Sequence, residues 1–509
     1  MSHPRLRAVT TLALSVSGSA ALADLTADQV WQDWTGYLAE AGYSVTSETS
    51  QSGDMLIIRD LALAMDMPDA DGGLSIRVGE FRLVENDDGS VSVILPATLP
   101  IAIAAIDDEA QQVTAAVEMA QEALDLTITG SADDMTYAYG AEALTLALTG
   151  LQAGDEITEI RAAQIRLEDM TGHSRSEPGD TARTTRTVRQ ELRAGPVTYE
   201  LDITEPENGA TMDVSGSMAQ VAFTGDATIP KSFQSDDVAA ALRDGFRFAS
   251  SVEYEIGSTA YRVEDAGDVL EVTQSSARGR FDTSMRPDGL SYGASGEDVT
   301  MAVSSSDLPF PVNLEMARLG FDVTMPVIKS EAMQAYGINL ELSEVTISDQ
   351  LWAMIDPGAR LPRDPATLRV DLAGTGRLFF DLLDPIEMEK LENRDTVPGE
   401  LQSLTLNDLL LELAGARLSG AGAFTFDPDD LESFGGTPAP EGTLDLALVG
   451  GNALLDNLVA IGLVPQDQAS GMRMMMGLFA RPGDGEDALV SRIEVTGDGQ
   501  VIANGQRLK

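Results

Sequence analysis

The sequence predicts a mainly β protein with minor helix content: extended, curved antiparallel sheets, an N-terminal helix and a C-terminal β-α-α-β-β unit. Three observations carry this. Short runs of alternating apolar and polar residues recur through most of the chain, each closed by Gly, Asn or Asp. One segment, 26–42, has helical spacing with a start and a stop signal. The last seventy residues read strand, two helical stripes, then two strands around Gly497-Asp498-Gly499.

Residues 1–23 come first. Arg5 and Arg7 precede a short apolar run, and Ala21-Leu22-Ala23 precedes Asp24, which is the order of a secretory signal peptide cleaved between Ala23 and Asp24. The later apolar run 95–106 is 12 residues long and is broken by Pro96 and Pro100, so it predicts no transmembrane span. In segment 26–42, Thr26 and Gln29 form a capping box, Trp31, Trp34 and Leu38 fall on one side, and Gly42 suits the stop. Core packing explains this tryptophan pair better than a sugar platform does.

From 44 to 150 the alternation predicts strands. Leu56, Ile58, Leu74, Ile76, Val78, Leu144, Leu146 and Leu148 are the candidate lining of an apolar groove. Segment 111–126 has helical composition, yet Leu124, Leu126 and Ile128 alternate, and its surroundings favour strand. Residues 173–193 carry Arg175, Arg183, Arg186, Arg189 and Arg193, expected to pair with acids; the sharper reading is a docking patch for an anionic lipid or polymer. Strands resume at 197–228 and 251–303 around a short helix within 239–248. Pro-marked connections stand at 308–311 and 356–365, and further strands follow at 340–347, 367–372, 404–413 and 416–426. The chain divides into 1–23, 24–235, 236–440 and 441–509, the last packing on the preceding sheet.

Composition removes whole classes of chemistry. The 509 residues include 33 Lys+Arg, 82 Asp+Glu and no Cys, for a formal charge of −49. Thiolate catalysis and Cys-ligated metals are impossible, and so acidic a surface repels nucleic acid. Only four of the basic residues are Lys. His173 is the one histidine beyond the leader, without a nucleophile elbow, and no phosphate-cradling glycine motif occurs. Asp66, Asp69 and Asp71 fail calcium-loop spacing and read as a turn. Met472, Met474, Met475 and Met476 read as flexible core filling rather than a Cu(I) site. No catalytic, cofactor or metal residues are therefore assigned.

Several segments resemble the bacterial envelope family known as domain of unknown function 2125. They are the opening 25–31, Asp307-Leu308-Pro309-Phe310-Pro311, the stretch 351–358 with Leu361-Pro362-Arg363-Asp364-Pro365, Asn452-Ala453-Leu454-Leu455-Asp456 and 498–505. The resemblance extends over the mature chain and brings no catalytic residues. In texture the chain is also distantly similar to AsmA-like and YdgA-like envelope proteins, some linked to lipid handling. Together these imply a periplasmic, non-enzymatic envelope protein whose partner is a lipid or another envelope protein, with an apolar ligand in a sheet-lined groove. The alternatives are a carboxylate-based hydrolase of envelope polysaccharide and a purely structural or interaction protein.

Overall fold

A computed structural model describes residues 24–508 apart from 68–71, 107–110, 180–183, 207, 232, 234–236, 392–396 and 435–436. Residues 1–23, expected to be a cleaved leader, and Asp69, Asp71 and Arg183 lie outside the described residues, as does the side chain of Asp66. The chain is mainly β: its described strands all belong to one large antiparallel sheet, with six helices among the described residues.

Pairing follows the chain closely. From the strand Thr211–Pro230 onward each strand hydrogen-bonds to the next as a meander, through Arg247–Asp265, Asp268–Arg286, Gly289–Ser305, Val312–Met325, Gln334–Ile347, Ala366–Leu378, Gly399–Leu413, Ala416–Asp427 and Ala439–Val449 to Ala488–Val495. The N-terminal part differs because two short strands, end to end, do the work of one long one. Met55–Met67 pairs with Phe81–Glu85 over one half and Gly72–Val78 over the other, and Asp134–Ala153 receives Asp125–Ser131 and Gln112–Glu122 in the same way. Segment 111–126 is therefore strand and not helix: Gln112–Glu122 stops before Ala123, which has φ 52°, and Asp125–Ser131 begins the next strand. Pairing continues unbroken across 235/236 and 440/441, so the C-terminal β-α-α-β-β unit extends the sheet edge to edge.

Long strands keep one face apolar by changing phase. Left-handed residues interrupt them at Asp60, Asp169, Gln220, Ile256, Asp298 and Glu344. At Asp60, Gln220 and Glu344 the pairing register shifts as well, and such an inserted residue reverses the odd–even alternation that a regular strand would carry on, so the apolar set stays on one side. Leu56 and Ile58 are thus followed by Leu61 and Leu63, and Leu340 and Leu342 by Val345 and Ile347.

Helices cover this face only in places. Ala27–Glu40 has the Thr26/Gln29 capping box and buries Leu25, Ala27 and Val30 against Leu56, Ile58, Leu83, Val91, Ile128 and Met135. Trp31 and Trp34 pack on Phe81, with centroids 6.0 and 6.2 Å away, and Trp34 Nε1 donates to Tyr137 Oη at 3.0 Å. The tryptophans are anchors. A second cluster joins Val238–Arg243 to Val327, Ile328, Met285 and Leu290. Two short helices, Asp349–Ile355 and Pro385–Leu391, are additions to the sequence expectation. The connection 356–365 is less superficial than its prolines suggest, since Asp356 is 0% exposed and accepts the Leu361 N–H at 2.7 Å.

The accessible surface is 29647 Å². A compact chain of 53.9 kDa exposes about 18,000 Å². The excess is larger than the roughly 8,000 Å² that all residues outside the description would show as extended chain. The sheet therefore carries more open surface than a fully layered fold of this mass would.

Candidate functional site: an uncovered apolar sheet face and a polar trough

Register shows what that uncovered sheet presents. Leu319 faces Leu342, Leu342 faces Leu368, and the row continues through Leu411, Leu418 and Leu448 to Leu489. A parallel row runs Phe321, Leu340, Val370, Leu409 and, past Gly420, Leu446. Further toward the N-terminus Leu201, Val214, Tyr261, Val272, Val303 and Val312 form another. None of these side chains is buried; nearly all are half-buried, and Leu411 is 38% exposed. Residues fully shielded by a second layer would not keep that much contact with solvent.

The expected groove residues divide between two settings. Val78, Ile101, Val117 and Leu148 form one cross-strand row, Leu146 stands across from Met119 and Ile165, and Leu144 across from Leu167. Leu74 and Ile76 flank Val78 by two-residue steps. These six, Leu74, Ile76, Val78, Leu144, Leu146 and Leu148, share the open face. Leu56 and Ile58 share it too, but at 4% and 0% exposure they lie beneath the N-terminal helix and line nothing open. The sequence expectation needs correction there, because alternation identifies a face and cannot say what roofs it.

The opposite face is polar and carries ion pairs between neighbouring strands. Arg278 meets Glu297 at 3.1 Å, Arg369 meets Asp408 at 3.2 Å and Arg492 meets Asp445 at 3.2 Å. The basic run behaves mostly as expected. Arg186 pairs with Asp33 of the N-terminal helix, its guanidinium 5.0 Å from the Tyr37 ring centroid, and Arg175 reaches Asp134 at 2.9 Å. Arg175 holds the Asp134 carboxyl below its ordinary range through a direct hydrogen bond.

On this polar face lies an open trough of about 1170 Å³. Two adjacent rows make its floor. One is Thr136, Arg175, Arg189, Asp226, Ala249, Ser284, Ser291 and Thr324; the other includes His173, Glu191, Thr224, Ser251, Asp282, Gly293 and Asp322. Arg243, Arg247 and Arg286 stand at one end. His173 is exposed, with Nε2 4.0 Å from Glu191 Oε1. The sequence reasoning missed Arg247 and Arg286, which lie outside the basic run.

Asp381, Asp384 and Glu387 bring carboxylate oxygens within 4.8 Å of one another. Asp381 is already satisfied by the Arg243 guanidinium and by the Lys329 N–H at 2.8 Å, and Glu387 by the Lys329 ammonium. Asp384 accepts the N–H groups of Ile386 and Glu387, so the trio is held by ion pairs at Asp381 and Glu387 and by backbone donors at Asp384. The methionines of Gln466–Phe479 also differ from expectation: Met472, Met474 and Met475 are 47%, 72% and 49% exposed, so they do not fill a core.

Fold and faces together define a class, an open amphipathic sheet protein with one apolar and one charged face. Residues 250–505 match the family described as an uncharacterized protein conserved in bacteria (DUF2125), and the chain belongs to that family. The match covers the meander from Arg247–Asp265 onward, including the 307–311 and 351–365 motifs, and leaves out the 25–31 opening. No curated protein and no solved structure matches the chain.

Proposed function

We propose that the protein is an exported, non-enzymatic component of the bacterial envelope that holds lipid acyl chains against its apolar sheet face. The observation that carries this is the row from Leu319 to Leu489, apolar on seven successive strands and half-exposed. Contiguous apolar surface on that scale marks a binding site in a folded protein, and each methylene withdrawn from water contributes about 0.8 kcal/mol. Export rests on the Ala21-Leu22-Ala23 cleavage grammar and predicts a mature N-terminus at Asp24. That start suits the fold, since Asp24 is exposed while Leu25 enters the core and its N–H donates to Gly89 O at 3.1 Å.

The carboxylate-hydrolase reading gains no support from the displaced carboxyls: a glycosidase needs one carboxyl held protonated near neutral pH, whereas among the described residues each carboxyl with a resolved displacement, Asp282 in the trough included, is displaced downward. Asp282 owes this first to its hydrogen bond from Arg280.

The deciding experiment is native mass spectrometry of protein expressed in a bacterial host with its leader intact. Adducts of phospholipid mass are expected, and they should be depleted in a Leu342→Asn/Leu368→Asn variant that still folds. Absence of any adduct, together with no uptake of an apolar dye by the native protein, would overturn the proposal.

A further inference from the structure

We propose that the arginine end of the polar trough is a binding site for a phosphate-bearing organic group, an inference that stands apart from the acyl-chain reading. Arg247 opens the strand Arg247–Asp265 and Arg286 closes Asp268–Arg286. Phe248 pairs with Met285 as the last rung of their ladder, and Arg247 and Arg286 are the next residues outward, one on each strand. Both line the same cavity. Like charges opposed across two strands destabilise a sheet unless something neutralises them.

Among the described residues no carboxylate is ion-paired to either arginine, although Asp226 and Asp244 line the same trough. The other arginines of the trough are committed: Arg175 to Asp134 and Glu177, Arg189 to Glu177, and Arg243 to Asp381. Arg247 and Arg286 form no ion pair among the described residues. This occurs in a protein with 82 acidic residues against 33 basic ones. With carboxylates in such surplus, two opposed guanidiniums without one mark a place kept for an outside anion.

The surroundings suit a phosphate ester better than a lone ion. Ser284 and Ser291, which face each other across the next pair of strands, offer hydroxyl donors on the floor beside Arg286. A second cavity of about 400 Å³ shares Ser284, Arg286, Ser291 and Thr324 with the trough, so Arg286 is open from both sides. The trough volume leaves room for a bulky organic remainder. Glu191, Asp282 and Asp322 lie one row group further along the strands, where they would accept hydrogen bonds from hydroxyl or amino groups of such a ligand. Two planar guanidiniums lining one cavity offer paired N–H donors of the kind that match phosphate oxygens.

The test uses the full mature chain, the double variant Arg247→Gln/Arg286→Gln, and Arg417→Gln as a control whose partner, Glu412, lies away from the trough. Melting is followed in inorganic phosphate and in chloride at matched ionic strength, and flotation with phosphatidylcholine vesicles with and without phosphatidylglycerol. Phosphate should raise the melting temperature of the wild type and the control. The double variant should need at least tenfold more phosphate for the same rise. In phosphate-free buffer Arg286→Gln should melt at or above the wild-type temperature, because it relieves a like-charge contact; a merely structural arginine would lower it. Arginine-dependent flotation with phosphatidylglycerol vesicles and no response to free phosphate would identify a lipid headgroup as the source. A double variant indistinguishable from wild type with both probes would overturn the proposal, as would a clear loss of stability in Arg286→Gln.

Discussion

Truncating leucines at two places in the sheet should separate a surface that is open in solution from one that is packed. Leu83 is 0% exposed beneath the N-terminal helix, among Leu56, Ile58, Val91 and Ile128. Leu83→Ala removes fully buried methyl groups and leaves a cavity, for a cost of about 3–5 kcal/mol. Leu411 belongs to the leucine row and is 38% exposed. Complete burial of a leucine contributes about 1.5–3 kcal/mol, so this partial burial without a closed cavity should make Leu411→Ala cost about 1 kcal/mol. Urea titrations of the two variants with a common slope should therefore place their midpoints well apart. Leu411→Asp extends the comparison: its carboxylate can reach water on an open face, so the variant should still fold while losing apolar-dye uptake. If Leu411→Ala costs as much as Leu83→Ala, a layer covers the row in solution and the open-face reasoning fails.

Three further outcomes are expected. Asp381 is pushed up by burial, but the Arg243 guanidinium and the Lys329 N–H outweigh that and leave it lowered; its stabilisation is thus complete above the unfolded carboxyl range near pH ~4 and is lost as pH falls through the lower folded value. Asp381→Asn should cost about 1–3 kcal/mol at pH 7, with the gap from wild type closing below pH ~4 in pH-dependent melting; a gap independent of pH would refute the ionic account. Ile256 is β-branched at φ 53° and 68% exposed, so Ile256→Gly should relieve about 1–2 kcal/mol of left-handed strain against about 0.5–1 kcal/mol of added chain entropy; a net loss above about 1 kcal/mol in denaturant titration would show that the bulge is not strained. Small-angle scattering of a monomer spanning residues 24–509 should give a radius of gyration clearly above the roughly 23 Å of a compact chain of that length, and a value at 23 Å would mean that the sheet closes on itself.

Much of this architecture is legible in the residues, and what is not has identifiable reasons. The capping box at Thr26 and Gln29 and the stripe of Trp31 and Trp34 are local signals, and the helix forms where they place it. The bulges leave a trace as well: apolar alternation changes phase across Arg59-Asp60 and across Ser343-Glu344, with two polar residues where one would keep the period. Helices of seven residues such as Asp349–Ile355 are too short for a 3.6-residue period to show. The roof over Leu56 and Ile58 was hidden for another reason. It depends on where a helix some thirty residues earlier docks, which no alternation within a strand can encode.

The opposed arginines lie between these extremes. Arg247 and Arg286 are 39 positions apart in sequence, and nothing around either marks a site. They become neighbours because the turn at Ala266-Gly267 folds the hairpin so that Asp265 meets Asp268, and the ladder then counts outward in mirror order to Phe248 and Met285. The irregularity at Ile256 does not disturb that count, since Glu255 still meets Arg278 on one side of it and Gly257 meets Ser276 on the other. A two-residue turn therefore fixes which charges oppose one another at the far end of two nineteen-residue strands. Elsewhere on the polar face the same mirror counting brings Arg278 near Glu297 and Arg262 near Glu271, pairs that neutralise each other. Arg175 and Arg189 also oppose each other but share Glu177; Arg247 and Arg286 have no such carboxylate among the described residues, and in a chain of large acidic surplus this is the basis for proposing a binding position there.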